Sequence, residues 1–210
     1  MILHNYWRSG TSYRTRIAME LKGLAYRQRG VDLRHGDQKS DSYLALNPQG
    51  LVPALEVDDT VLIQSPAILE WLEEAYPLPP LLPAGPVPRA HVRAMSALVG
   101  CDIHPLNNLR VGKALKETFG ADQAAIDAWA ARWINPGFEA LEALVARHGA
   151  GWCYGASPTL ADCYLIPQIY SAQRFNVPLD AFPHLMAVDA AAKNHHAFIA
   201  AHPDNQPDAD

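Results

Sequence analysis

Residues 47–77 read NPQGLVPALEVDDTVLIQSPAILEWLEEAYP, and the fold follows from how this stretch divides. Asn47-Pro48 ends a helix, because the residue before a proline resists helical backbone. Ala54–Val57 and Val61–Ile63 are short β-favouring runs on either side of Asp58-Asp59-Thr60, the pattern of a hairpin. Ser65 stands where an N-cap is expected, with Pro66 at the first helical position. Ile68, Leu69, Leu72, Ala75 and Tyr76 then recur at helical spacing as an apolar stripe, while Glu70, Glu73 and Glu74 take the water-facing side.

Upstream, Ile2–Tyr6 reads as a strand, and Ile17, Ala18 and Leu21 mark a helix from Ser12 to Lys22 that Gly23 stops. Tyr26–Asp32 is a second strand and Tyr43 to Leu46 a short helix. The order is βαβαββα. Parallel pairing of the first two strands needs a crossover, which helix 12–22 supplies. Downstream, Pro77, Pro79, Pro80, Pro83, Pro86 and Pro88 crowd a dozen residues, a density that supports neither helix nor ladder. We therefore expect an α/β domain over 1–80, a proline-rich linker over 81–88 and an all-helical domain over 89–210. The helical runs are Ala90–Leu115, Asp122–Ala146, Leu160–Ser171, Leu185–Ala192 and His195–Ala201. Thr159-Leu160-Ala161-Asp162 has the form of a capping box, with Asp in place of Glu. Asn205–Asp210 reads as a frayed tail.

The 210 residues are 49% apolar and 19% charged, enough to build a core. A net charge of −5 disfavours a nucleic-acid binder, which relies on clustered basic residues. No apolar run approaches the roughly 20 residues of a membrane span, and the opening MILHNYWRSG has no signal-peptide core. Cys101, Cys153 and Cys163 form no CxxC pair, which suggests reduced thiols in the cytoplasm. Cys163 lies on an apolar helix and reads as core; Cys101 borders the candidate site. The histidines show no ligand spacing, so no metal is expected.

Three segments carry chemistry. Arg8-Ser9-Gly10-Thr11-Ser12-Tyr13-Arg14 spans the junction of the first strand and first helix. Its hydroxyls sit at the positive end of the helix dipole, where they either cap the helix or favour an anion, phosphate or thiolate. Glycine is too sparse here for a phosphate loop. In Asn47-Pro48-Gln49-Gly50-Leu51-Val52-Pro53, proline removes a ladder amide and leaves the Val52 N–H and C=O available to an added peptide strand. Gln64-Ser65 offers first-turn amides and a carboxamide suited to a carboxylate. A helix start, a free edge and a second helix start, all at one sheet face, suit a short acidic peptide.

The segments WRSGTSYRTRIAMELKG, ALNPQGLVPAL, LIQSPAILEWLEEAYP, CDIHPLNNLRV, SPTLADCYLIPQ and FxxxHPDNQPD together resemble the zeta-class glutathione transferases over nearly the whole chain. The resemblance implies a thioredoxin-like N-terminal domain followed by an all-helical domain, with glutathione as cofactor. It implies a glutathione-dependent cis–trans isomerase of a maleyl keto-diacid, maleylpyruvate or maleylacetoacetate, in aromatic catabolism. A general transferase acting on small α-halo acids, and a non-enzymatic interaction protein on the same scaffold, stand as alternatives. By resemblance Ser9 meets the glutathione sulfur, and Ser9, Arg8 and Thr11 are the catalytic candidates. Thr11 stands where relatives carry a cysteine or another small hydroxyl residue, so the cysteine of the zeta-class pattern is absent here. Val52, before Pro53, pairs with the cysteinyl backbone; Gln64 and Ser65 hold the γ-glutamyl carboxylate, with Gln49 nearby and Gln38 toward the glycine end. His104 and Asn108 are contacts of glutathione or substrate, and Asp102 is directed to a partner subunit's cofactor. Arg8, Arg110 and Arg174 are the candidate cations for a dicarboxylate substrate and the charge that develops on it. The same resemblance implies a homodimer, with no membrane or nucleic-acid partner.

Overall fold

A computed structural model describes residues 1–209, which divide into two compact units, Met1–Leu81 with the segment from Asn194 onward, and Leu82–Lys193. In the first unit, β1 (Ile2–Asn5), β2 (Arg27–Gly30), β3 (Ala54–Val57) and β4 (Thr60–Ile63) form one sheet in the order β2-β1-β3-β4. β1 and β2 are parallel, with α1 (Gly10–Leu21) as their crossover; β1–β3 and β3–β4 are antiparallel. Leu3, Ile17, Leu55, Ile68, Leu69 and Leu72 are fully buried, so the apolar stripe of α3 (Ser65–Ala75) and the inner face of α1 fill the core with the sheet. The βαβαββα order and the thioredoxin-like architecture are as the sequence implies. The short helix α2 begins earlier than expected, at Asp41–Leu46, because Ser40 caps it by accepting from the Tyr43 N–H.

Several boundaries differ from the sequence reading. α3 begins at Ser65 itself, with Gln64 at the cap position and no side-chain cap. Glu73 does not face water: its Oε2 accepts from Lys22 Nζ at 2.8 Å and from the Leu81 N–H at 2.9 Å, so the carboxylate ties the chain beyond α3 back to α1. Pro86 and Pro88 belong to the first turn of α4 (Pro86–Ala97) rather than to a linker, since a fixed φ and a missing N–H cost nothing there. The final segment, read as part of the helical domain, packs with the first unit. α9 (His196–Ala201) lies against α1, and the fully buried Arg16 donates to Ala201 O, Asn5 Oδ1 and Trp7 O. Nor is the tail frayed. Gln206 is buried and bonded to Gln28, and Asp208 Oδ2 accepts from the Trp7 N–H at 3.0 Å. Asp210 lies outside the described residues.

In the second unit, the helical run over 90–115 is interrupted. α4 passes into a π-helical turn, Leu98–Ile103, then a 3-10 turn, His104–Leu106, before α5 (Leu109–Phe119). Gly137 shows why the turn packs as it does: a Cβ there would come within 2.3 Å of Ile103 Cδ1. α6 (Gln123–His148) packs on that turn and on α8 (Pro183–Ala192), and α4 packs on α7 (Leu160–Arg174). α7 starts on the expected box. Asp162 Oδ2 accepts from the Thr159 N–H and hydroxyl, and its Oδ1 accepts from the Cys153 N–H.

Candidate functional site

Ser9 ends the turn after β1 and caps α1, its Oγ accepting from the Ser12 N–H at 3.3 Å. The same oxygen lies 2.9 Å from Thr11 Oγ1, and Thr11 Oγ1 donates to the Val52 carbonyl at 2.9 Å. With the Thr11 hydrogen committed to Val52, the Thr11 oxygen can only accept from Ser9. A chain therefore runs from Ser9 O–H through Thr11 O–H to Val52 C=O. Ser9 is thus both a cap and a donor, and rotation of its hydroxyl would turn that donor from Thr11 to an anion at the α1 dipole.

The Val52 edge departs from the sequence reading on one side. Its N–H has no partner among the described residues, but its carbonyl already accepts from Thr11, leaving one lone pair for a ligand. The Val52–Pro53 bond is cis. The preceding Leu51 carbonyl is clamped by the Tyr43 hydroxyl and by Asn47 Nδ2, each at 2.7 Å, and burial pushes the Tyr43 phenol up to about 12. Gly50 holds φ at +63°, and a Cβ there would meet the Gln38 carbonyl at 2.8 Å, so glycine alone lets this loop lie against Gln38.

Gln64 is exposed with φ at +69°, a conformation costly for a residue with a side chain, and its carboxamide donates to Gln49 Oε1. The two glutamines singled out from sequence therefore sit together. Ser65 follows, buried, with its Oγ accepting from Arg14 Nη1 at 3.3 Å. Arg8 is half-buried, its guanidinium 5.2 Å from the centre of the Trp7 ring.

In the helical unit, Asp102 is exposed on the π-helical turn and His104 is half-buried at the turn that follows. Asn108 caps α5, its Oδ1 accepting from the Arg110 N–H at 3.1 Å, so its carbonyl end serves the helix. Arg110 is exposed in the first turn of α5. Arg174 is the exposed last residue of α7, which runs three residues beyond the expected end at Ser171. Sequence reasoning passed over two polar residues. Arg14, buried on α1, was quoted only within a motif. Asn107 is buried with neither carboxamide atom hydrogen-bonded among the described residues. An arginine inside an otherwise apolar helix face was the available signal for Arg14; nothing local marked Asn107.

A thioredoxin-like unit whose first helix starts on a serine hydroxyl, followed along the chain by helices, defines the class of the glutathione transferases. Residues 8–75 match the family model described as Glutathione S-transferase, N-terminal domain. The maleylpyruvate isomerase of a Ralstonia species is 55% identical over the full length of both chains. A solved holo structure of maleyl pyruvate isomerase, described as a bacterial zeta-class glutathione-S-transferase, matches with a TM-score of 0.98 and 54% identity over all of both chains. The maleylacetoacetate isomerase of Anaeromyxobacter dehalogenans, solved with bound dicarboxyethyl glutathione and citrate, matches with a TM-score of 0.89 and 42% identity, over 100% of this chain and 93% of that one. The chain belongs to the glutathione transferase family, in the zeta-class branch of the maleylpyruvate and maleylacetoacetate isomerases.

Proposed function

We propose that this protein is a glutathione-dependent cis–trans isomerase that converts a maleyl keto-diacid, maleylpyruvate or maleylacetoacetate, to its fumaryl form in aromatic catabolism. The observation that carries this reading is the Ser9–Thr11–Val52 chain, which places a reorientable hydroxyl donor at the start of α1 beside a half-used backbone edge.

The residues present fit a γ-glutamyl tripeptide. The Ser65 hydroxyl, buried, accepts from Arg14 and has no acceptor for its own hydrogen among the described residues. Ser65 and Gln64, with Gln49, would hold the γ-glutamyl carboxylate. Val52 would take the cysteinyl backbone through its unused N–H and the second lone pair of its carbonyl. When bound, glutathione supplies a thiolate whose reversible addition makes the double bond single, so that rotation and elimination return the trans isomer.

The chain's own residues prepare that chemistry. Ser9 turns its O–H from Thr11 to the sulfur and, with the α1 dipole, stabilises the thiolate over the thiol. Arg8, next to Ser9, provides a fixed cation for the enolate charge that develops beside the attacked carbon. Arg110 and Arg174, with planar two-pronged donors, grip the substrate's terminal carboxylates. His104 and Asn108 would contact glutathione or substrate, the NH2 end of Asn108 being the part not used in its cap. Asp102 would reach the partner subunit's cofactor in a homodimer, which is the assembly we propose. We place the protein in the cytoplasm; among the described residues its three cysteines form no disulfide, and no helix is long and apolar enough to cross a membrane.

The test is the ultraviolet spectrum of maleylpyruvate or maleylacetoacetate mixed with the protein, with and without glutathione. Conversion to the trans isomer only when both are present supports the reading. No acceleration over glutathione in buffer, or faster turnover of small α-halo acids, would reject it.

A further inference from the structure

Arg14 lies on α1 with 2% of its surface exposed, and its Nη1 donates to the hydroxyl of Ser65, itself 2% exposed, at 3.3 Å. A guanidinium stays protonated throughout the working pH range, and withdrawing it from water costs several kcal/mol unless its surroundings compensate. We propose that Arg14 is the positioning residue of the γ-glutamyl carboxylate subsite, fixing Ser65 as a hydrogen-bond donor and placing a buried positive charge behind it. This rests on the reading above that Ser65 holds that carboxylate.

The direction of the bond carries the inference. Arginine has five donors and no acceptor, so in this pair Ser65 Oγ must accept. The serine hydrogen is thereby directed away from Arg14, and no group among the described residues receives it. A carboxylate, which only accepts, suits a hydroxyl held in that orientation; an amide NH2 or an ammonium does not. The setting adds to the effect. Ser65 is the first residue of α3, Gln64 provides no side-chain cap, and Pro66 has no N–H, so this helix start has fewer donors of its own than most. A cation behind it offsets that shortage and raises the potential where a carboxylate would lie. Lysine would carry the charge but lacks the rigid planar fork that fixes the direction of the donor.

The test is calorimetric binding to the full chain of two ligands, glutathione and γ-aminobutyryl-cysteinylglycine, which lacks only the carboxylate in question. We expect wild type to prefer glutathione by at least about tenfold, the scale of a charge-assisted hydrogen bond. Arg14→Gln should lose about tenfold for glutathione and less than about twofold for the analogue. If Arg14→Gln does not fold, Arg14→Lys, which keeps the charge, carries the test: it should lose affinity for glutathione alone, and the loss should shrink in a Ser65→Ala background. Equal losses for both ligands would show a merely structural role and overturn the proposal, as would no loss at all. A wild-type chain that does not bind glutathione would overturn the functional reading and this proposal together. A wild type that binds glutathione while the variants keep its full preference for glutathione over the analogue would overturn this proposal alone.

Discussion

The hydroxyl of Thr11 donates to the carbonyl of Val52 at 2.9 Å, tying the first turn of α1 to the loop that leads into β3. The two residues are far apart in sequence, yet this bond holds both the candidate thiolate donor and the candidate backbone edge in one network.

Removing it should affect binding more than chemistry. In Thr11→Val, which keeps the shape, the Val52 loop loses its anchor while the Ser9 hydroxyl loses only a competing acceptor. We expect the KM for glutathione to rise several-fold, as for one lost hydrogen bond of about 1 kcal/mol, with kcat within about twofold of wild type. Steady-state kinetics with glutathione as the varied substrate provides the measurement, and a fall in kcat at unchanged KM would contradict the expectation.

Arg110 and Arg174 are both exposed, so their loss should leave the fold intact. Arg110→Met and Arg174→Met should each lower kcat/KM for the keto-diacid by roughly ten- to a hundredfold through a lost carboxylate contact, with the thermal midpoint unchanged. Lysine at either site should restore only part of the activity, since the two-pronged geometry is lost. Activity equal to wild type in both Met variants would remove these residues from the site.

Asp162 is a structural prediction. Its fully buried carboxyl receives the Cys153 N–H, the Thr159 N–H and the Thr159 hydroxyl, and burial pushes its pKa up against the pull of those donors. Asp162→Ala leaves two buried amides without an acceptor, at about 1–3 kcal/mol each. The urea midpoint should fall accordingly, and Asp162→Asn, which keeps one acceptor, should fall less.

His91 and His148 lie with their ring centres 4.7 Å apart and their planes tilted by 35°. Burial, then the neighbouring His91 and Arg147, push the His148 pKa down. A lowered folded-state pKa means that the unfolded chain takes up the proton first. Stability from this group is therefore complete above about pH 6.5 and is lost as pH falls through the lowered value. His148→Gln should flatten the acid side of a stability–pH profile measured by urea unfolding, and an unchanged acid slope would contradict it.

The α/β rhythm was legible because strands, proline and helix starts are local signals. The residues that finish the site were less so, because their partners are distant. Ser9, Val52, Gln49, Gln64 and Ser65 are marked by their positions at helix starts and beside a proline; in the structure Thr11 bridges Ser9 to Val52, Gln64 bonds to Gln49, and Ser65 bonds to Arg14. Glu73 looked like a solvent-facing glutamate by periodicity alone; its pairing with Lys22 and Leu81 depends on how the chain returns after α3. The tail looked frayed because short polar segments usually are, and only the tertiary fold shows Asp208 holding the Trp7 amide beside Arg8 and Ser9. Arg14 was hidden for the same reason, since its partner is on another helix.

The central claim is that the start of α1 ionises a bound thiol through Ser9. The direct measurement is the pH titration of thiolate ultraviolet absorbance for glutathione bound to wild type and to Ser9→Ala. We expect the wild-type complex to titrate at least about one unit below the ordinary thiol value near 8.5, and the variant to return most of the way toward it. Identical titration in the two proteins, or a bound thiol no more acidic than free glutathione, would contradict the claim.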